Sequence, residues 1–124
     1  MIPIYRAKKI DSDEYIEGFL KNCTDTGLDT FWIQSNEFID YKIEINTLSI
    51  HFPDMLDIQG NKIFASLQED GKGGDILKHI NHIHQDDMPV YNPYYKKGDI
   101  KIDDIPLKSN MPNLDYYRIV GIQQ

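Results

Sequence analysis

Apolar and polar residues alternate along several short segments of the chain, with the two-residue period of a half-buried β-strand. The clearest segment runs from Phe38 to Ile45, where four apolar side chains alternate with Asp40, Lys42 and Glu44. The other segments that we predict as strands are Glu14–Leu20, Phe31–Ile33, Leu48–Phe52, Lys62–Phe64, Ile100–Asp103 and Tyr116–Val120.

The segment from Asp75 to His84 fits two periods. A strand is favoured, although its alternation is loose. The competing interpretation is a helix, because Ile76, Ile80 and Ile83 recur at helical spacing.

Turn residues interrupt the chain often, which leaves few windows that could hold a long helix. Examples are Gln59-Gly60-Asn61, the run from Gly71 to Gly74, and Asn92-Pro93. The pattern therefore predicts a mainly β protein, an antiparallel small barrel or curled sheets with at most one or two short helices. The 124 residues are expected to form a single domain, 1–124. Exposed strand edges favour a homo-oligomer.

Composition and charge narrow the classes of function. Hydrophobic residues make up 40% of the chain and charged residues 27%, which is typical of a globular protein. The net charge of −7 disfavours binding to nucleic acid, which needs a basic face. A weaker alternative is an acidic inhibitor that mimics nucleic acid.

Location is inferred from what the chain lacks. The longest apolar runs are too short to span a membrane, and the first residues do not resemble a signal peptide. Cys23 is the one cysteine, so no intramolecular disulfide is expected. These features predict a cytoplasmic protein with no membrane contact.

Five motifs occur in an order that resembles one family. They are Tyr5-Arg6-Ala7-Lys8, Glu14–Leu20, Ile43–Leu48, Asp57–Phe64 and Gly74-Asp75-Ile76-Leu77. Together they are similar to the YopX family of phage and prophage proteins, over residues 1 to about 77. A weaker similarity to the family follows in Tyr117–Gly121.

The YopX resemblance implies a mobile-element origin and a strand-rich fold, and it implies no reaction. The chain departs from the family pattern by an insertion, Ala65 to Gly73. The motifs themselves are interpreted as turns and core. Gly18 would allow a bend or bulge in a strand, Gly60 would supply a positive φ, and Tyr5, Tyr15 and Phe19 are expected in the core.

A histidine cluster supplies the sharpest candidate for chemistry. His79, His82 and His84 lie within six residues, and Asp86 follows. In a strand, His82, His84 and Asp86 would share a face and offer imidazole and carboxylate ligands to a divalent metal ion. The other interpretation is a polar segment with incidental histidines, and no cofactor is expected on that view.

Two other motifs do not fit the chemistry that they suggest. The glycine-rich loop around Lys72 lacks the spacing of a phosphate-binding loop and is flanked by Asp70 and Asp75. Asp25-Thr26-Gly27 is found in aspartic proteases, which need a second copy of it. We interpret both as turns.

Tyrosines and prolines from Met88 to Tyr95 form the best candidate contact surface. Tyr91, Tyr94 and Tyr95 offer aromatic area of the kind that interfaces favour. The alternative is a loop packed over its own core. The sequence thus favours a non-enzymatic oligomeric module that binds a host or phage protein, and the alternative is a metal-dependent enzyme built on His79, His82, His84 and Asp86.

Overall fold

Short strands dominate the part of the chain that the computed structural model describes, residues 3–23, 30–68, 70–80, 91–96, 99–102, 105–106 and 117–124. The strands are β1 Ile4–Lys8, β2 Tyr15–Cys23, β3 Thr30–Gln34, β4 Asp40–Lys42, β5 Ser49–His51, β6 Ala65–Ser66, β7 Asp75–His79, β8 Tyr94–Lys96, β9 Asp99–Ile102, β10 Ile105–Pro106 and β11 Tyr117–Ile122. A 3₁₀ turn, Ile45–Thr47, separates β4 from β5. The predicted mainly β class is confirmed.

The described strands form two sheets. The larger sheet has the order β10-β9-β8-β6-β5-β1-β2-β3-β4, and the smaller one pairs β11 with β7. Neighbouring strands in these sheets are antiparallel except β6 and β8, which are parallel. Because the larger sheet ends at β10 and at β4, it is open and does not close into a barrel.

One end of the larger sheet curls back on itself. Lys9 and Ile43 form an isolated antiparallel bridge, so the residues after β4 meet the residues after β1. The Ile10 N–H donates to the Lys42 carbonyl at 3.0 Å, and the Glu44 N–H donates to the Lys8 carbonyl at 2.9 Å. Of the two predicted architectures, the structure therefore has the curled sheet.

Gly18 allows this curl. Tyr15 to Gly18 pair with β1, whereas Phe19 to Cys23 pair with β3, so β2 changes partner at the glycine. A Cβ at this position would lie 1.9 Å from the Gln34 carbonyl oxygen. A glycine is required here because two backbones approach closely.

Two groups of buried apolar side chains form the core. Ala7, Ile33, Ile43 and Leu48 lie inside the curl of β1 to β4. The second group, between the two sheets, consists of Ile50, Met55, Ile63, Ala65 and Leu77. Tyr5 and Leu67 pack against both groups and join them.

The long strand predicted from Phe38 to Ile45 was wrong at both ends. Only Asp40–Lys42 is a strand. Phe38 has a φ of +62°, which places it in a turn closed by the Ser35 N–H and the Ile39 carbonyl at 2.9 Å. At the other end, Thr47 Oγ1 donates to the Glu44 carbonyl at 2.7 Å and holds the 3₁₀ turn. Local hydrogen bonds thus override the apolar alternation.

Two smaller predictions also need correction. Phe19 is 51% exposed and does not belong to the core, because the buried face of β2 carries Ile16 and Leu20. The predicted strand Lys62–Phe64 is a single bridge between Lys62 and Leu56, and the strand begins later, at Ala65. Tyr5 and Tyr15 are half-buried.

In the ambiguous segment from Asp75 to His84, Asp75–His79 is a strand, as favoured, and residues 81–84 lie outside the described part of the chain. Gly60 has a φ of +80° in its turn, which confirms the positive φ predicted there. No helix in the described part of the chain is long and apolar enough to cross a membrane.

Candidate functional site

The predicted metal ligands do not form a site that the structure describes. His79 ends β7, while His82, His84 and Asp86 lie outside the described residues. Among the residues that are described, no group of three His, Cys, Asp or Glu side chains is arranged to hold a metal ion. The metal site therefore stays a prediction.

The tyrosines of the predicted contact surface pack toward the core. Tyr94 is 8% exposed. The Tyr91 ring meets the Tyr117 ring edge-on, with centroids 5.7 Å apart, and Tyr95 lies 5.7 Å from the Phe52 ring. Tyr91 also exchanges backbone hydrogen bonds with Leu77. Over residues 91–95, this packing favours the alternative of a loop that covers its own core, while residues 88–90 lie outside the described part of the chain.

A buried ion pair, which the sequence analysis did not identify, joins the two sheets. The Arg6 guanidinium on β1 lies 2.8 Å from Asp75 Oδ1 on β7, and Asp75 is 1% exposed. Arg6 also donates to the Gly73 carbonyl at 3.0 Å, and the Phe64 N–H donates to Asp75 Oδ2 at 2.8 Å. Both carboxylate oxygens of Asp75 are thus occupied by donors.

Aromatic rings surround the guanidinium. The Arg6 Cζ lies 4.4 Å from the centre of the Phe64 ring and 5.8 Å from that of Tyr15. Such contacts stabilise a partly desolvated cation. The Arg6 Nε is buried and has no hydrogen-bond partner in the described structure. One donor of the buried pair is therefore left unsatisfied, a costly arrangement.

Arg6 and Asp75 form the floor of a cleft of about 530 Å³, which we call the inter-sheet cleft. One side carries Glu17 and Lys62, whose charged atoms are 3.5 Å apart and whose side chains are half exposed. The lining also includes Ile119 and Ile122, from β11. The volume lies in the range of small-molecule and peptide sites.

The turn at the mouth of the cleft is fixed by Asp57. Its Oδ1 accepts the N–H groups of Gln59 and Asn61, each at 2.9 Å. Its Oδ2 accepts the Ile119 N–H at 3.1 Å. One buried carboxylate therefore shapes the turn and attaches it to β11, which sets the width of the cleft.

Burial shifts the pKa of two groups beneath the cleft. Burial lowers the pKa of His51, whose Nδ1 donates to the Ile63 carbonyl at 3.0 Å and whose ring lies 5.5 Å from that of Phe64. Burial also raises the pKa of Asp75, although Arg6 and the Phe64 N–H oppose that shift. His51 is accordingly neutral at pH 7.

The arrangement is suited to binding rather than to proton transfer. Asp75 already accepts two hydrogen bonds, so it is poorly placed to act as a general base. The opposite charges of Glu17 and Lys62 are available at the rim, where a polar ligand can reach them. The sequence signal that could have indicated this site is a charged residue within each strand motif, Arg6 and Asp75.

Four of the five sequence motifs have residues in the lining of this cleft. Arg6, Glu17 and Asp75 come from the first, second and fifth motifs, while Gly60 and Phe64 come from the fourth. Besides the turn at Gly60, the motifs supply the charged lining of one cleft.

A second surface is exposed and apolar. Phe38 is 83% exposed at the tip of the β3–β4 hairpin, and Ile39 beside it is 44% exposed. Phe19, 51% exposed, lies near the same hairpin, since it pairs with Gln34, the last residue of β3. We call Phe19, Phe38 and Ile39 the hairpin-tip patch.

Comparison of the chain with protein-family models, with curated proteins and with solved structures finds no match in any of the three.

Proposed function

We propose that this chain is a non-enzymatic, oligomeric protein-interaction module that self-associates through the hairpin-tip patch. The proposal includes a phage or prophage origin and a place in the cytoplasm, both taken from the sequence features above. The observation that carries it is Phe38, a large aromatic side chain that is 83% exposed at a φ of +62°.

Phe38 destabilises the free chain. A left-handed backbone costs a residue with a Cβ about 1–2 kcal/mol, and glycine or asparagine would avoid most of that cost. The exposed ring recovers little of it, because it is not removed from water. Folding alone therefore gives no reason for a phenylalanine at this position.

Association offsets this cost. Full burial of a phenylalanine side chain contributes about 1.5–3 kcal/mol relative to leaving it exposed. Aromatic residues are enriched among the contacts that dominate interface energy. In a dimer with a two-fold axis, the hairpin-tip patch of one copy faces the same patch of the other copy. The patch residues, Phe19, Phe38 and Ile39, can then cover their counterparts.

Charge sets a salt dependence for this association. Each copy carries a net charge of −7, so two copies repel one another at a distance. Added salt screens exposed charges and leaves the apolar contact in place. Self-association through the patch should therefore strengthen as the salt concentration rises, whereas association through ion pairs would weaken.

Light scattering coupled to size-exclusion chromatography tests the proposal. The wild type should show a mass above that of one chain, rising with protein and salt concentration, and Phe38→Asn should return it to one chain. The matched control is Ile58→Asn, at another exposed apolar residue, 47% exposed, which should associate like the wild type. A monomeric wild type, or equal association of both variants, would contradict self-association through the patch. A monomer would leave a host or phage protein as the partner to seek.

A further inference from the structure

Apart from β7 and the loop that leads into it, the described residues bond to the edge of β11 over only part of its length. Near its start, the Tyr117 carbonyl accepts the Ile58 N–H at 2.9 Å, and the Ile119 N–H donates to Asp57 Oδ2 at 3.1 Å. β7 is the one strand that pairs with β11 in the described structure. Past Ile119, no described residue outside β7 and the loop that leads into it bonds to the β11 backbone.

The inter-sheet cleft lies beside this end of β11. Ile119 and Ile122 are apolar residues of its lining, and Glu17 and Lys62 are charged residues of the same lining. A strand edge next to an apolar wall is the arrangement that extended peptides use when they add a strand to a sheet. Main-chain hydrogen bonds then give affinity, and the wall selects side chains.

Charge favours a peptide over an anion in this cleft. The lining contains two cations, Arg6 and Lys62, and two carboxylates, Glu17 and Asp75, so its formal charges cancel. A phosphate or a free carboxylate would meet both carboxylates, on a chain whose net charge is −7. A peptide backbone is neutral and offers both donors and acceptors.

We propose that the inter-sheet cleft binds an extended peptide segment of a partner protein, which adds as a strand to the end of β11 with which no second described strand pairs. Its apolar side chains lie against Ile119 and Ile122. Polar or oppositely charged side chains lie toward Glu17 and Lys62. This cleft shares no lining residue with the hairpin-tip patch, although Glu17 and Lys62 also line a small depression that contains Phe19. Peptide binding does not depend on self-association.

Selection from a phage-displayed library of random linear peptides, with the full chain as bait, tests the proposal. Peptides with alternating apolar residues should be enriched, and their affinity is then measured by fluorescence anisotropy. Asn61→Trp, which places a bulky side chain in the cleft mouth, should weaken binding about tenfold or more. Gln59→Trp, on the same turn but outside the cleft lining, is the matched control and should bind like the wild type.

Two further measurements sharpen the result. Methylation of alternate backbone nitrogens in a selected peptide should abolish binding, because it removes strand hydrogen bonds and keeps the side chains. Phe38→Asn should leave peptide affinity unchanged, which separates this site from self-association. The proposal is overturned if no peptide is enriched, or if Asn61→Trp, confirmed as folded by its thermal unfolding, binds as tightly as the wild type.

Discussion

The Arg6 guanidinium donates to Asp75 Oδ1 at 2.8 Å, across 69 positions of the chain, and so joins β1 of the larger sheet to β7 of the smaller one. Both side chains are buried. Because both side chains are withdrawn from water, removal of either one leaves a buried charge without a partner. The pair therefore determines how the two sheets meet along the inter-sheet cleft.

Replacement of Arg6 should destabilise the fold strongly. We expect Arg6→Met to lower the free energy of unfolding by about 3–5 kcal/mol, the usual effect of removing one partner of a buried pair. The variant should regain part of this loss in acid, because removal of Arg6 raises the pKa of Asp75 further and protonation removes the uncompensated charge. Urea denaturation at neutral and acidic pH measures both effects.

The control for this prediction is an exposed pair of similar length. Lys21 Nζ lies 3.0 Å from Asp40 Oδ2, and both side chains are about two-fifths exposed. Such pairs contribute about 1 kcal/mol or less, so Lys21→Met should change stability little. Equal effects of the two substitutions would show that burial of the Arg6–Asp75 pair is not decisive.

Local patterns in the sequence predicted the class of the fold and many of its strands. Five of the observed strands overlap segments that the alternation predicts, namely β2, β3, β5, β9 and β11. The alternation is informative because its two-residue period shows which face of a strand is buried. The pattern failed between Phe38 and Ile45, where alternation continues through a turn and a 3₁₀ turn. There, hydrogen bonds of Ser35 and Thr47 end the strand.

The candidate site could be predicted only in part. The turn at Gly60 follows from local residue chemistry. The pairing of Arg6 with Asp75 depends on how distant strands pack, and no local pattern encodes it. The exposure of Phe38 was missed for a similar reason, since an aromatic residue in an alternating segment predicts burial.

Two glycines with the same backbone conformation should respond differently to alanine. Gly60 and Gly73 have φ values of +80° and +81°. A Cβ on Gly60 would have nothing within 4 Å, so Gly60→Ala should cost about 1 kcal/mol for the backbone alone. On Gly73 a Cβ would lie 1.9 Å from the Thr47 carbonyl oxygen.

Gly73→Ala should therefore add an overpacking cost of about 1–3 kcal/mol or more to the backbone cost. Thermal unfolding of the two variants beside the wild type gives the comparison. Similar losses for both would mean that the loop before β7 does not press against Thr47.

Stability should fall as the pH drops through the histidine range, because of His51. Burial lowers the pKa of His51 in the folded chain below its ordinary value of 6.5. The unfolded chain then binds more protons in that range, and acid favours unfolding. The contribution of neutral His51 to stability is present above pH 6.5, the pKa in the unfolded chain. It is lost as the pH falls toward the lower pKa that His51 has in the folded chain.

Denaturation of the wild type and of His51→Asn, between about pH 7.5 and pH 5.5, tests this prediction. Asparagine can still donate to the Ile63 carbonyl but does not titrate. The wild type should lose more stability than the variant over this interval. Parallel loss in both proteins would assign the pH dependence to other groups.

A binding module without a cofactor should purify without stoichiometric metal. We expect elemental analysis of untagged protein to find less than one divalent ion per chain. His82→Ala combined with His84→Ala should leave the thermal unfolding temperature unchanged, with or without a chelator. One tightly held ion that the double variant loses would instead favour the metal-dependent enzyme.

The most direct test of the central claim is the thermal unfolding temperature of the wild type and of Phe38→Asn, measured over a wide range of protein concentration. Association of the folded state makes this temperature rise with concentration. At high dilution the variant should be the more stable, since asparagine accepts a φ of +62° at lower cost. At high concentration the wild type should have the higher unfolding temperature, because the hairpin-tip patches of two copies then cover one another. A wild type that stays more stable at every dilution, or two curves that do not change with concentration, would contradict the account.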